Sequence, residues 1–201
     1  MQPSVPLDPA ALAQTTVELT TLKACRIFSS QFVSTPLGTG AGDSRFAWRH
    51  SAYQVLYCAV DFRTAFLETV VRDDFVGKQG ARQLPLAAIT KRCWANLQLK
   101  PDTRVRLLDL RKDGCVLLGI PTDAPRSKDH QQGRELGQRL YDHHRTSIDG
   151  VVFASRFTGR DVYAIFSHAC SRLSAKSARE LVNSPELPDV MKAYSLRLSS
   201  Q

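Results

Sequence analysis

The chain has 201 residues, 43% of them hydrophobic, which is apolar material enough for one sizeable core and one domain. Its 27 Lys and Arg against 19 Asp and Glu leave a net charge of +8 and a pI near 9.5, a field that attracts nucleic acid, anionic lipid, acidic protein or a phosphate-rich small ligand. Five widely spaced cysteines without a C-x-x-C pair argue against a disulfide framework or zinc site; with no basic-then-apolar leader and no apolar run near the roughly 18 residues of a membrane span, a soluble cytoplasmic protein is expected.

In chain order, Asp8-Pro9 makes an N-cap and first-turn pair before AALAQTTVEL, so residues 1–21 read as a helical N-terminal extension. KACRIFSS predicts a first strand over 23–28, and the Gly/Ser/Thr/Pro-rich stretch 34–44 must be loop. QVLYCAV (54–60) is a strand by its β-branched and aromatic content. Asp61 then offers an N-cap for a helix over 62–72. RVRLLDL (104–110) has a strand pattern, and CVLLGI is a short apolar run ended by Pro121. Leu136, Leu140 and Tyr141 mark a helix within 127–146. GVVFA, the Thr158-Gly159-Arg160-Asp161 turn and VYAIFSHA read as a hairpin. The tail 171–201, interrupted by Pro185 and Pro188, is either a docked helix or partly disordered. Strands outnumber helices without regular βαβ alternation, which is an α+β pattern.

Several chemistries drop out. The glycines of the 34–44 loop fit neither G-x-G-x-x-G nor a P-loop. His143 and His144 are adjacent and cannot share one metal face, and His50, His130 and His168 have no H-x-x-x-H partner, so no metal is expected. No G-x-S-x-G elbow is present. By spacing, Glu68 lies away from the Phe62, Ala65, Phe66 and Val70 face, and would form a surface pair with Arg72 worth roughly 0.2–0.5 kcal/mol. Tyr57 reads as a core ring with a satisfied hydroxyl. Arg26 inside a strand, and Arg156 after Ser155 at the end of GVVFA, either face an edge or point into a polar cleft.

The order of four short motifs resembles the RES domain, the toxin component of RES–Xre toxin–antitoxin pairs. CRIFSS carries Arg26, GDSRFAW carries Arg45, and VLYCAVDFRTAFLE sets Tyr57 eleven positions before Glu68. DGVVFASRFTGRDVYAIF is similar to the family's closing hairpin, with Ser155. In one departure, the family places glycine directly before the loop arginine, where this chain has Ser44. The resemblance covers roughly residues 22–168, and implies a RES domain over 22–170 followed by the tail 171–201.

It implies an ADP-ribosyltransferase-like split β-core with flanking helices, and an enzyme that acts on NAD+ by cleaving the nicotinamide N-glycosidic bond. The carry-over assigns catalysis to Glu68, Arg26 and Tyr57, and substrate binding to Arg45, Ser155 and Arg156. Glu68 would offset the oxocarbenium charge, Arg26 would bind phosphate or orient Glu68, Tyr57 would pack beside nicotinamide, and Ser155 would bond substrate near the cleft floor. Water or inorganic phosphate as acceptor gives NAD+ degradation, the favoured expectation, and a protein acceptor gives ADP-ribosylation. A nucleic-acid-binding or nuclease toxin is supported by charge alone, and no RNA- or DNA-binding motif appears. The resemblance also implies an Xre-type helix-turn-helix antitoxin as partner and no membrane association.

Overall fold

The computed structural model describes residues 5–78 and 80–199. The N-terminal segment forms helix α1 (Pro9–Thr15), where Asp8 Oδ2 accepts from the Ala11 N–H at 2.8 Å as its sequence position predicts. The extension does not stay helical, because the β-branched run Thr15-Thr16-Val17 favours strand, and β1 (Thr16–Leu19) follows. Next come β2 (Lys23–Ser29), β3 (Val55–Ala59) and α2 (Phe62–Phe66), which continues into a π-turn over Leu67–Val71. β4 (Arg82–Pro85), α3 (Ala87–Thr90), β5 (Arg92–Leu99), β6 (Val105–Asp109) and α4 (Gly114–Leu117) follow. The chain ends with α5 (Gln131–His144), β7 (Gly150–Ala154), β8 (Asp161–Phe166), β9 (Leu173–Ala175), β10 (Arg179–Glu180), α6 (Leu187–Ala193) and β11 (Leu196–Ser199).

The main sheet runs β1-β6-β7-β8-β3-β2-β5-β10, with β9 also on β5, and β4 and β11 form a separate parallel pair. Within it β6 and β7 are parallel and the other pairs antiparallel. Its decisive feature is a weak joint. β3 meets β8 through five residue pairs and β2 meets β5 through seven, yet β2 and β3 share the single pair Cys25↔Ala59. The two halves of the sheet splay there into a fork, which is the α+β split core expected from the resemblance.

Both faces of the sheet are covered. Cys25, Ile27 and Ala59 join a cluster with Phe62 and Phe66 of α2 and Leu136 and Leu140 of α5, while Ala24, Phe28, Leu56 and Cys58 join a second cluster on the opposite face. This is the alternation that the strand period of two imposes. The N-terminal segment is built into the first cluster through Leu7 and Leu12, and β1 pairs with β6. The C-terminal segment is folded onto the same cluster through Leu181, Leu187, Val190 and Leu196. The first residues of the CVLLGI run lie in the short helix α4. Among the described residues, no helix is long and apolar enough to cross a membrane.

Candidate active site

A cavity of about 230 Å³ occupies the fork. Cys25, Arg26 and Ile27 of β2 and Tyr57, Cys58 and Ala59 of β3 all line it. Three consecutive residues of a strand can border one space only where it meets the strand edge, since neighbouring side chains point to opposite faces. The wall is therefore completed by elements from outside the fork: the 43–45 loop, the helix after β3, His130 ahead of α5, Phe153 of β7, and Arg156 and Phe157 after it.

The helix supplies Ala65, Glu68, Thr69 and Arg72, spaced i, i+3, i+4 and i+7 along one stripe. Its start is fixed by Asp61, whose Oδ1 accepts from the Thr64 N–H at 2.7 Å. Its apolar face is wider than the spacing suggests, with Phe62, Phe66, Leu67, Val70 and Val71 all buried, so the remaining stripe turns towards the fork. The expected Glu68–Arg72 ion pair is not formed. Through the π-turn the Arg72 N–H bonds to Leu67 O at 2.7 Å, an i→i+5 link, and π-turns of this kind gather at functional sites. Half-buried on the cavity wall, the Glu68 carboxylate makes no hydrogen bond or ion pair among the described residues.

Tyr57 and Arg45 are fixed by one loop. The Tyr57 hydroxyl donates to Ser44 Oγ at 3.1 Å and accepts from the Phe46 N–H at 3.0 Å, so the residue that departs from the family pattern is the one Tyr57 holds. Burial pushes the phenol above its ordinary pKa. Arg45 donates from Nη1 to Ser127 O at 2.6 Å and sits over the Phe153 ring. Burial lowers the pKa of its guanidinium, and the charge of Glu68 opposes that shift.

The loop can lie this low because α5 carries glycine where the backbone touches it. A Cβ at Gly133 would meet Arg45 O at 2.4 Å, and one at Gly137 would meet Phe46 O at 2.1 Å. Glycine to alanine inside a helix ordinarily stabilises by about 1 kcal/mol. At Gly137 the sign should reverse, because overpacking against a backbone carbonyl costs about 1–3 kcal/mol. Gly137→Ala is thus expected to lower the thermal unfolding midpoint, and a raised midpoint would contradict this packing.

Two predicted site residues are engaged in hydrogen bonds within the protein. Arg26 borders the cavity, but its guanidinium donates to Pro36 O at 2.6 Å and Gly38 O at 2.9 Å and lies over the Phe28 ring. Strand alternation puts its side chain with Ala24 and Phe28, on the face away from α2, so it pins the 34–40 loop and does not orient Glu68. Ser155 is 3% exposed and is not in the cavity wall. Its Oγ accepts from the Phe157 N–H at 3.1 Å and the Thr158 N–H at 3.3 Å, which shapes the turn that brings Arg156 and Phe157 to the cavity. Arg156 is there as predicted, paired with Asp73 and stacked on Phe157.

His130, Arg72 and Phe153 also line the wall and were not among the expected site residues: Arg72 was read as a surface partner of Glu68, His130 was weighed only as a metal ligand, and Phe153 as part of an apolar strand. Burial, then the charges of Arg45, Arg134, Arg72 and Arg156, lower the His130 pKa from 6.5 to about 4. The unfolded chain therefore takes up this proton near pH 6.5 and the folded chain near 4. Between those values acid favours the unfolded state and stability falls. His130→Asn should lose less of its unfolding midpoint than the parent as pH drops from 6.5 to 4; parallel curves would contradict this. Among the described residues, no cluster of three or more His, Cys, Asp or Glu side chains suits a metal ion.

A family model described as the RES domain matches residues 23–188. The chain is 29% identical over 129 residues to "Probable toxin y4kH" of Sinorhizobium fredii (strain NBRC 101917 / NGR234), covering 64% of this chain and 99% of that protein. A chain in the crystal structure of the M. tuberculosis MbcT–MbcA toxin–antitoxin complex superposes with a TM-score of 0.64 at 14% identity, over 92% of this chain and 98% of its own, a likeness of fold.

Proposed function

The chain belongs to the RES domain family, and from that premise we propose that it is the toxin of a toxin–antitoxin pair and degrades NAD+ by cleaving the bond between nicotinamide and ribose. The observation that carries the reading is Glu68, a carboxylate without a protein partner, set in the wall of an otherwise arginine-rich fork cavity. A cavity of this volume is smaller than the roughly 300–1,000 Å³ of sites that enclose a whole drug-sized ligand. It would take the nicotinamide riboside end of the dinucleotide and leave the adenosine end outside.

In this reading the Tyr57 ring packs beside the nicotinamide, and Glu68 faces the ribose. As the C1–N bond breaks, its electron pair leaves with the nicotinamide nitrogen and cancels the pyridinium charge. The positive charge left on the ribose is offset by the Glu68 carboxylate. Water or inorganic phosphate then attacks C1, and a proton is released when water is the acceptor. No metal or further cofactor is invoked. Arg45 and Arg156 supply positive field for the phosphates. The antitoxin partner, of Xre helix-turn-helix type by family resemblance, would act by blocking the mouth of the fork.

The test is NAD+ incubated with purified protein, with and without inorganic phosphate, followed by product identification. Free nicotinamide is expected, with ADP-ribose or its 1-phosphate as the other product. Label from the ADP-ribose half appearing on protein would move the reading to ADP-ribosyl transfer. Intact NAD+ under every condition would overturn it.

A further inference from the structure

Arg72 stands where the backbone asks for glycine. It follows the π-turn with φ 46° and ψ −128°, a region that L side chains enter at a cost and that glycine enters freely. It is also the cavity's guanidinium with no partner. Arg26 is held by two loop carbonyls, Arg45 by Ser127 O and Arg156 by Asp73, whereas the Arg72 side chain makes no hydrogen bond or ion pair among the described residues. Its charge acts on Arg45 and His130, so it shares their space even though it is exposed at the mouth. The strained backbone disfavours arginine for folding and the exposed guanidinium gains no protein partner in return, which makes sense if the side chain is kept for a ligand.

We infer that Arg72 binds the diphosphate of a dinucleotide whose ribose lies at Glu68. The stripe Ala65, Glu68, Thr69, Arg72 runs outwards from the fork, and Arg72 follows Glu68 by about one helical turn, a rise of about 5.4 Å. In a nicotinamide dinucleotide the diphosphate is the next charged group out from the nicotinamide ribose, so the spacing of the two side chains matches the order of the two groups. Arginine suits the task because its planar fork can meet phosphate oxygens in pairs. The choice of dinucleotide rests on the proposed function, but the diphosphate site does not depend on any bond being cleaved.

ADP, which carries the diphosphate and has no scissile nicotinamide bond, separates the two ideas. Its affinity is measured by calorimetry at low salt for the parent, Arg72→Gly and Arg72→Lys, beside each protein's unfolding midpoint. The expected result is a loss of about tenfold or more in ADP affinity for Arg72→Gly, a smaller loss for Arg72→Lys, and an unfolding midpoint for Arg72→Gly no lower than the parent's. Inorganic phosphate titrated into the same proteins identifies the ion: a tenfold loss confined to phosphate would overturn the diphosphate assignment. A parent that does not bind ADP, or ADP affinities within twofold of one another, would overturn it too. So would a lowered midpoint for Arg72→Gly with unchanged ADP affinity, which would make Arg72 a folding residue. ADP binding that needs Arg72, in a protein that leaves NAD+ intact, would uphold this inference and overturn the proposed reaction alone.

Discussion

Glu68→Gln is expected to slow NAD+ consumption by about 10²-fold or more, equivalent to roughly 3 kcal/mol of barrier, while leaving the unfolding midpoint close to the parent's. The two halves of that expectation come from the same geometry. The carboxylate lines the fork and has no partner within the protein, so its loss breaks no contact of the folded state. Glutamine keeps the shape and the stripe position but not the charge, and charge is what an oxocarbenium-like ribose requires. A surface ion pair with Arg72 would instead have cost a few tenths of a kcal/mol in stability and nothing in rate. A folded Glu68→Gln protein that consumes NAD+ at the parent rate would remove Glu68 from the chemistry.

Asp149→Ala is expected to destabilise the fold by about 2–3 kcal/mol, with the activity of the remaining folded protein little changed. Asp149 is 1% exposed, at the start of β7. Its carboxylate accepts from the Arg106 N–H at 2.8 Å and from Arg172 Nη1 at 2.5 Å, with His168 Nε2 at 3.5 Å. Burial alone would raise its pKa, but the hydrogen bonds from His168, the Arg106 backbone and Arg172 outweigh it and hold the carboxyl below its ordinary value. Alanine removes the shared acceptor of the Arg106 N–H, Arg172 and His168; the two side chains are about a third exposed and recover part of the loss from water. The depressed pKa also sets the pH window: this contribution is present above the ordinary value of 3.8 and is lost as pH falls through the folded-state value. It therefore lies below the window in which His130 acts. An unfolding free energy within 1 kcal/mol of the parent would contradict this account.

The parts of the fold that were legible in sequence are those governed by local rules. Asp8 and Asp61 cap the helices they precede, and the Thr158–Asp161 turn joins β7 to an antiparallel β8. β3 was found by its β-branched and aromatic content, and β2 within the KACRIFSS stretch that precedes the 34–44 loop. β5, the strand that holds β2, β9 and β10, was not among the expected elements, although Leu97 and Leu99 alternate with Asn96 and Gln98 as in a half-buried strand and Pro101-Asp102 marks a turn after it. β1 was hidden in the helical reading of AALAQTTVEL, which ends at Thr15.

The same division runs through the candidate site. Arg45, Tyr57, Glu68 and Arg156 do converge on one cavity. Their partners were out of reach, since Tyr57 to Ser44 and Arg45 to Ser127 are contacts set by how a loop lies on α5. Gly133 and Gly137, which allow that contact, looked in sequence like helix-weakening residues. Arg26 and Ser155 were carried over from the family's motifs, which say nothing of the strand face Arg26 takes or of the turn Ser155 closes. Whether Glu68 faces water or the fork depended on how many neighbours on its helix are buried and on a π-turn, and neither follows from helical spacing alone.

The most direct measurement is the structure of the protein with an NAD+ analogue whose nicotinamide–ribose bond cannot be cleaved. The account predicts the nicotinamide riboside end inside the fork between β2 and β3, the ribose hydroxyls within hydrogen-bonding distance of the Glu68 carboxylate, and the Tyr57 ring beside the nicotinamide. An analogue bound elsewhere with the fork empty, or bound in the fork with Glu68 turned away from the ribose, would contradict it.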